Sequence, residues 1–215
     1  MTSNYYTTVP LDPALLATPF GIQTGWYVLT GAACTGKTTL LELLAERGYP
    51  VLPESARQYF EAEQAKGRSL VEIRRDGGAL QRGITALQVA CERDFPAEKL
   101  AFLDRGVPDT LTFFRVFGLD PNAILPQCFS CRYAGVFILD RLPLRRDQTL
   151  GPEDDAASDF LNEWLARDYA SLGYNVLRVP ALSPPERLAF TLDRISVLGE
   201  MSVDQFTSPM NKLDK

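Results

Sequence analysis

An open α/β sheet of five parallel strands with helices packed around it is the fold class that this sequence predicts. Three observations lead to it. Short apolar runs recur at residues 25–30, 49–53, 100–103, 133–139 and 175–179. The stretches between them carry helical spacing or helix-terminal signals, and that alternation is what produces parallel sheets. A glycine-rich stretch joins the first apolar run to the first helix-forming run, the place where such sheets bind ligands.

The chain has 215 residues, enough for one domain with an ample core. Its 46% hydrophobic and 23% charged residues are those of a globular protein. A net charge of -5 and the lack of any Lys/Arg-rich run argue against nucleic acid as the main partner. No apolar segment is long enough to span a membrane, and no basic stretch leads into an apolar one as in a secretory signal, so a cytoplasmic location is expected.

Residues 1–24 contain Pro10, Pro13 and Pro19 and read as an extended arm with one short helical turn at 13–17. The domain proper spans 25–198. After the first strand comes a helix from Lys37 to near Arg47, closed by Gly48. The second strand ends at Glu54 and is followed by a helix reaching Gly67. Ser69 caps a short helix, and Gly77-Gly78 is expected to break the chain before a long amphipathic helix that Pro96 stops. The third strand ends in Asp104. Pro108 suits the first turn of the next helix, and Asp120-Pro121 starts a short one. The fourth strand ends in Asp140, and residues 141–156 read as a mobile loop before a helix over 157–171. After the fifth strand, Ser183-Pro184-Pro185-Glu186 combines an N-cap, a first-turn proline and a capping-box glutamate. That helix is expected to end near Leu198, leaving 199–215 as a loose polar tail.

The glycine-rich stretch is Gly31-Ala32-Ala33-Cys34-Thr35-Gly36-Lys37-Thr38-Thr39. It matches G-x-x-x-x-G-K-[ST], the P-loop, in the strand–loop–helix context that the motif requires. Backbone N–H groups at a helix N-terminus point at phosphate oxygens, and the helix dipole favours their charge. Lys37 is expected to reach the β- and γ-phosphates of ATP, and the Thr38 hydroxyl to ligate Mg²⁺.

Asp104 closes a strand as a Mg²⁺-holding carboxylate does, and Asp140 is its rival with the same pattern; Arg105 and Gly106 directly after Asp104 favour the former. Glu54 is placed to take the proton of an acceptor hydroxyl, or else to offset a helix dipole. Arg105 is either a phosphoryl clamp or half of a structural ion pair. Arg57 and Asp109 are candidate acceptor contacts, Asp109 being equally able to cap its helix. Arg141, Arg145 and Arg146 suit a lid that closes over ATP. Leu80, Leu87, Phe113, Phe114 and Phe117 read first as core, with some of the rings available to line an acceptor pocket. With no histidine in the chain, proton transfer falls to Asp, Glu, Lys, Tyr or Cys. Cys128-Phe-Ser-Cys131 is a lone C-x-x-C and reads as apolar packing.

The order of parts resembles a known group: the P-loop, then Pro53-Glu54-Ser-Ala-Arg57, then Phe102-Leu-Asp104-Arg105-Gly106-x-x-Asp109, an arginine-bearing loop, Val179-Pro180 and Ser183-x-x-Glu186-Arg187. It is similar to the AAA-domain P-loop ATPase/kinase family that includes the nicotinamide riboside kinase domain of bacterial NAD regulators, and more widely to nucleoside and nucleotide kinases. The resemblance covers about 25–198. It implies a three-layer fold with strand order 2-3-1-4-5. It also implies phosphate binding by Gly36, Lys37, Thr38 and Thr39, a base at Glu54, and Mg²⁺ and phosphoryl contacts at Asp104 and Arg105. Adenine is expected between the lid and residues 180–184. The chain departs from its relatives at Asp147-Gln148-Thr149-Leu150, which lacks the arginine of their lid Asp-x-x-Arg, so that Arg145 or Arg146 is its replacement. The function implied is an ATP- and Mg²⁺-dependent kinase of a small hydroxyl-bearing acceptor. The alternative is a nucleotide-dependent regulatory ATPase that binds a protein partner.

Cys34 sits inside the phosphate loop, so alkylation of its thiol is expected to weaken nucleotide binding, and titration of a fluorescent ATP analogue before and after treatment measures this.

Overall fold

The computed structural model describes residues 6–142 and 152–206, with side chains described for 6–142 and 157–196. Its elements run in chain order α1 (Pro13–Leu16), β1 (Ile22–Gln23), β2 (Trp26–Thr30), α2 (Lys37–Glu46), β3 (Val51–Leu52), α3 (Ser55–Ala65), α4 (Leu70–Arg74) and α5 (Gly77–Arg93). There follow β4 (Ala101–Asp104), α6 (Asp109–Val116), two short 3₁₀ turns, β5 (Cys131–Arg132), β6 (Gly135–Leu139), α7 (Pro152–Ser171), β7 (Val176–Val179) and α8 (Pro184–Phe206).

The main sheet is parallel throughout and has the order β3-β4-β2-β6-β7. This numbering differs from the expected 2-3-1-4-5 because β1 and β5, two-residue strands absent from the sequence reading, pair with each other in a separate parallel sheet. Ranked among themselves, the five main-sheet strands stand second, third, first, fourth and fifth. Chain direction reverses its lateral course between β2 and β6, which makes the crevice beyond their C-terminal ends the switch point.

Alternation along the strands divides the core. Tyr27, Leu29, Phe102, Phe137 and Leu139 meet Leu40 and Leu44 of α2 and Leu188 of α8 on one face. Trp26, Val28, Leu103 and Val136 meet Leu111 and Phe114 of α6 and Tyr169 of α7 on the other. Period-2 side-chain direction thus covers both faces of one strand with helices, the condition for a parallel sheet.

Three local expectations change. Gly77 and Gly78 open α5 rather than breaking the chain: Asp76 accepts from the Ala79 amide as the cap, and a Cβ at Gly77 would lie 2.3 Å from the Phe117 ring. Glycine is needed there for close approach, not for a turn. Helix α7 begins at Pro152, inside the expected 141–156 loop, with proline at its first position. Helix α8 continues to Phe206, eight residues past Leu198. Arg145 and Arg146, the remaining lid arginines, lie outside the described residues, as does the departure at 147–150. Among the described residues no helix is long and apolar enough to cross a membrane.

The N-terminal arm is tied down by polar contacts. Asn122 accepts from the Asp12 amide at 2.8 Å and donates to the Pro10 carbonyl at 3.1 Å. Arg115, 1% exposed, donates to the Val9 carbonyl and to both Asp168 oxygens, with its guanidinium 4.2 Å from the Trp164 ring centre. Thr112 donates to Asp168 as well, at 2.8 Å. Desolvating both charges is costly, and removing one partner strands the other. Arg115→Ala is therefore expected to cost about 3–5 kcal/mol and to lower Tm by roughly 10 °C, followed by circular dichroism. Arg115→Ala combined with Asp168→Leu recovers part of that loss, because no buried charge is left without a partner.

Candidate active site

The loop between β2 and α2 turns through left-handed backbone at Gly31 (φ 139°) and Gly36 (φ 84°). A Cβ at Gly31 would stand 2.9 Å from the Leu139 carbonyl oxygen, so the loop hugs the end of β6 only because no side chain is there. Gly36 caps α2, whose first amides have no intrahelical acceptor and face the anion position. Cys34 is exposed and also left-handed, at φ 58°.

Three contacts hold this loop. The Ala32 amide donates to Asn162 Oδ1 of α7 at 2.8 Å. Arg187 of α8, 2% exposed, donates to the carbonyls of Thr35, of Asp140 at 2.7 Å and of Pro180 at 2.8 Å, joining the loop to β6 and to the turn after β7. Lys37 folds back on its own loop and donates to the carbonyls of Gly31 at 3.0 Å and Ala32 at 2.8 Å. Burial, and then the neighbouring Arg105 charge, lower the Lys37 ammonium to about 8.

Opposite the loop, Arg105 leaves β4 in the left-handed region (φ 73°), costly for a residue with a Cβ and the kind of strain found at functional sites. The turn aims its guanidinium across the strand ends. Nε donates to Glu54 Oε1 at 2.9 Å and Nη1 to Asp109 Oδ1 at 3.1 Å, while the Phe113 ring lies 5.1 Å away. Burial opposes the Arg105 charge, but the Asp109 and Glu54 carboxylates outweigh it and the net direction is upward. Asp109 is 2% exposed, and its oxygens accept from Thr30, Arg105, the Gly106 amide and Tyr169. That carboxylate fixes Arg105, and Asp109 also lines the cavity described below; it is not the N-cap of α6, since Pro108 holds that place.

Asp104 and Asp140 part company here. The Asp140 carboxylate accepts from Arg178 at 3.1 Å. Asp104 Oδ1 is buried with no hydrogen-bond partner, and burial followed by the Glu54 charge raises its carboxyl to about 6. A buried carboxylate oxygen without a donor is expensive, and a divalent cation would relieve it. With the exposed hydroxyl of Thr38 nearby in sequence to the loop lysine, the donors are hard oxygens of the kind Mg²⁺ takes, so the residues fit that ion.

Beside the Glu54–Arg105 pair, helices α3, α5 and α6 border an open-mouthed cavity of about 450 Å³. Phe60, Leu80, Ile84, Phe113 and Phe117 give it an apolar wall; Glu54, Arg105 and Asp109 form its connected polar cluster, and Arg74, Gln81 and Gln88 line it as well. Leu80, Phe113 and Phe117 are thus cavity wall, while Phe114 is core and Leu87 is only partly buried and away from the cavity. Arg57 is exposed and does not line it. Arg141 is partly buried, with Nη1 3.4 Å from Asp159. Sequence reasoning did not find Asn162, Arg187, Tyr169 or Thr30. Only Arg187 carried a signal, as part of the Ser183-x-x-Glu186-Arg187 string; the others act through contacts across long sequence separations.

A parallel α/β sheet with this loop at its switch point defines a P-loop nucleotide-binding protein. The sequence profile described as AAA domain matches residues 26–187, and the chain belongs to that family. No curated protein sequence matches significantly. Among solved structures, NadR in complex with NR aligns with a TM-score of 0.59 at 19% identity over 89% of this chain and 54% of its own. The chain spans about half the length of the NadR structures it matches. Deoxyadenosine kinase from M. mycoides, with dCMP and dCDP bound, gives 0.57 at 13% identity over 80% of this chain and 99% of its own. Thymidylate kinase from Candida albicans gives 0.54 at 10% identity over 84% and 93%. At such identities the likeness is one of fold.

Asp104 carries a testable consequence of its raised carboxyl. A folded-state value above the unfolded one adds stability that is complete near pH 4 and is lost as pH rises through about 6. Asp104→Asn removes that loss, so at pH 7 the ligand-free variant is expected to melt a few degrees above the parent, with the gap closing by about pH 4 in a thermal-melt series.

Proposed function

We propose that the chain is an ATP- and Mg²⁺-dependent phosphotransferase acting on a hydroxyl of a small acceptor, nucleoside-like or another compact metabolite with an aromatic or apolar body. The observation that carries this reading is the cavity in which Glu54, Arg105 and Asp109 face an apolar wall. An acceptor seated there would present its hydroxyl to a carboxylate and a guanidinium, the pair that phosphoryl transfer calls for. A regulatory ATPase that signals to a protein partner has no need of such a cavity.

The division of labour follows from the contacts. The amides at the start of α2 and the side chains of Thr38 and Thr39 hold the phosphates, and Lys37 exchanges the Gly31 and Ala32 carbonyls for β- and γ-phosphate oxygens. Glu54 accepts the acceptor's proton as its oxygen bonds to the γ-phosphorus and the bond to the ADP oxygen breaks. Arg105, fixed from behind by Asp109, faces the charge that spreads over the transferring group. Asp104 and Thr38 would hold Mg²⁺, which when bound neutralises charge on the phosphate oxygens. Fixed side chains need no reorganisation as that charge develops, and an apolar wall keeps competing water away. Arg141 is the member of the proposed closing arginines that lies among the described residues.

Glu54→Gln is expected to lower kcat by about 10²-fold or more with ATP affinity kept within about threefold, and Lys37→Ala to abolish turnover, both read by coupled ADP release. A panel of nucleosides, vitamins and sugars should contain compounds that raise ADP release above the acceptor-free rate. If none does while Lys37-dependent hydrolysis persists, the regulatory ATPase takes the kinase's place.

A further inference from the structure

The acceptor cavity has a direction, and the course of its helices sets it. Helices α3 and α6 leave the sheet beside Glu54 and Asp109 and carry Phe60, Phe113 and Phe117 outward. Helix α5 runs back towards the sheet. Gln88, late in that helix, donates to the Arg105 carbonyl at 3.4 Å, whereas Gly77 at its start lies against the Phe117 ring. Glu54 and Arg105 therefore mark an inner end at the strand ends, and Phe117 with the first turn of α5 marks an outer one.

At the outer end stands Arg74, the last residue of α4, which also lines the cavity. Its guanidinium carbon lies 5.5 Å from the centre of the Phe60 ring. Phe60 itself is roughly 9 Å beyond Glu54 along α3, at a rise of about 1.5 Å per residue. The other guanidinium of the cavity, Arg105, is answered by Glu54 and Asp109. Arg74 has only the ring. Among the described residues no carboxylate lies within ion-pair reach of it and no acceptor engages its N–H groups. A ring face restrains the guanidinium plane and leaves all five of its donors unspent. The two ends of the cavity thus suit different chemistry: a carboxylate for a hydroxyl proton at the inner end, a donor fork for a planar anion at the outer end, and aromatic rings between them.

We propose that the acceptor is an anionic hydroxy compound, with its hydroxyl at Glu54, a carboxylate on Arg74, and an aromatic or apolar body between them against Phe60, Phe113 and Phe117. The hydroxyl end rests on the phosphotransfer reading; the charge of the acceptor is what the outer end adds. Charge also decides which way round the molecule enters. Reversed, its anion would meet Glu54 and Asp109, whose two negative charges outnumber the single positive charge of Arg105. Arg74 attracts the anion at one end while the inner carboxylates repel it from the other, so the hydroxyl is the group delivered to the strand ends.

The probe is para-(hydroxymethyl)phenylacetate, with its uncharged primary amide and the corresponding ethylammonium compound as neutral and cationic controls, each titrated calorimetrically into the full chain. The acid is expected to bind at least about fivefold tighter than the amide, with the ammonium compound weakest. Arg74→Gln should bring acid and amide within about twofold, and Arg74→Glu should reverse the order. Arg75→Gln removes an adjacent exposed charge that does not line the cavity and should keep the preference. Arg74 is exposed, so these variants are expected to fold, which circular dichroism checks. No binding of the acid, an amide that binds as tightly, a preference that survives Arg74→Glu, or one lost equally in Arg75→Gln overturns the proposal. ADP release with ATP and Mg²⁺ separates the two readings. If the amide raises it as strongly as the acid does, the anionic acceptor is wrong and the phosphotransferase stands. If the acid binds through Arg74 and no acceptor raises ADP release, the anion site stands and the phosphotransfer reading fails.

Discussion

The site depends on the buried carboxylate of Asp109. Its two oxygens gather Thr30 from β2, the Gly106 amide, Tyr169 from α7 and Arg105 itself, and by doing so fix a guanidinium beyond the strand ends. Arg105 could not hold its left-handed backbone without such a clamp, since the conformation costs on the order of 1–3 kcal/mol and persists only where its surroundings over-determine it. The clamp also bears on where Glu54 stands, because Arg105 Nε donates to that carboxylate. Gly106 completes the arrangement: a Cβ there would come within 2.9 Å of the hydroxyls of both Tyr133 and Tyr169. Sheet, α6 and α7 are thereby locked to one side chain.

The phosphate loop is held in a different way. Its shape comes from two glycines, but its position comes from Asn162 and Arg187, which reach it from α7 and α8. The Arg187 guanidinium spends its donors on carbonyls of three separate segments and so acts as a staple between the loop, β6 and the turn after β7. Lys37 occupies the loop's own carbonyls, which keeps a buried ammonium hydrogen-bonded. Occupation of the anion position would exchange those carbonyls for stronger, charged acceptors.

Polar burial is uneven across the molecule, and the unevenness is informative. Arg115–Asp168 and Arg105–Asp109 are buried charges that answer each other. Asp104 Oδ1 is a buried acid oxygen with no hydrogen-bond partner, whereas Glu92 is held by neutral donors, Gln88, Tyr133 and Cys131. The phosphotransfer reading supplies Asp104 with a divalent cation.

Local chemistry alone determined the five main strands, the helix after the loop, the Ser69 and Ser183 termini and the P-loop, because alternation, capping residues and glycine spacing act over a few residues. The same locality explains the errors: nothing near Gly77 reveals that the Phe117 ring will lie against it, and two-residue strands such as β1 and β5 carry no periodic signal. Glu54, Asp104 and Arg105 were legible as strand-end residues, but their roles relative to one another were not. Only the tertiary structure decided that Asp109 serves Arg105, that Asp104 rather than Asp140 keeps an oxygen without a donor, and that Phe113 and Phe117 line a cavity whereas Phe114 fills the core. Those outcomes depend on contacts between residues tens of positions apart, and a buried charge is given its partner by packing, not by its neighbours in sequence.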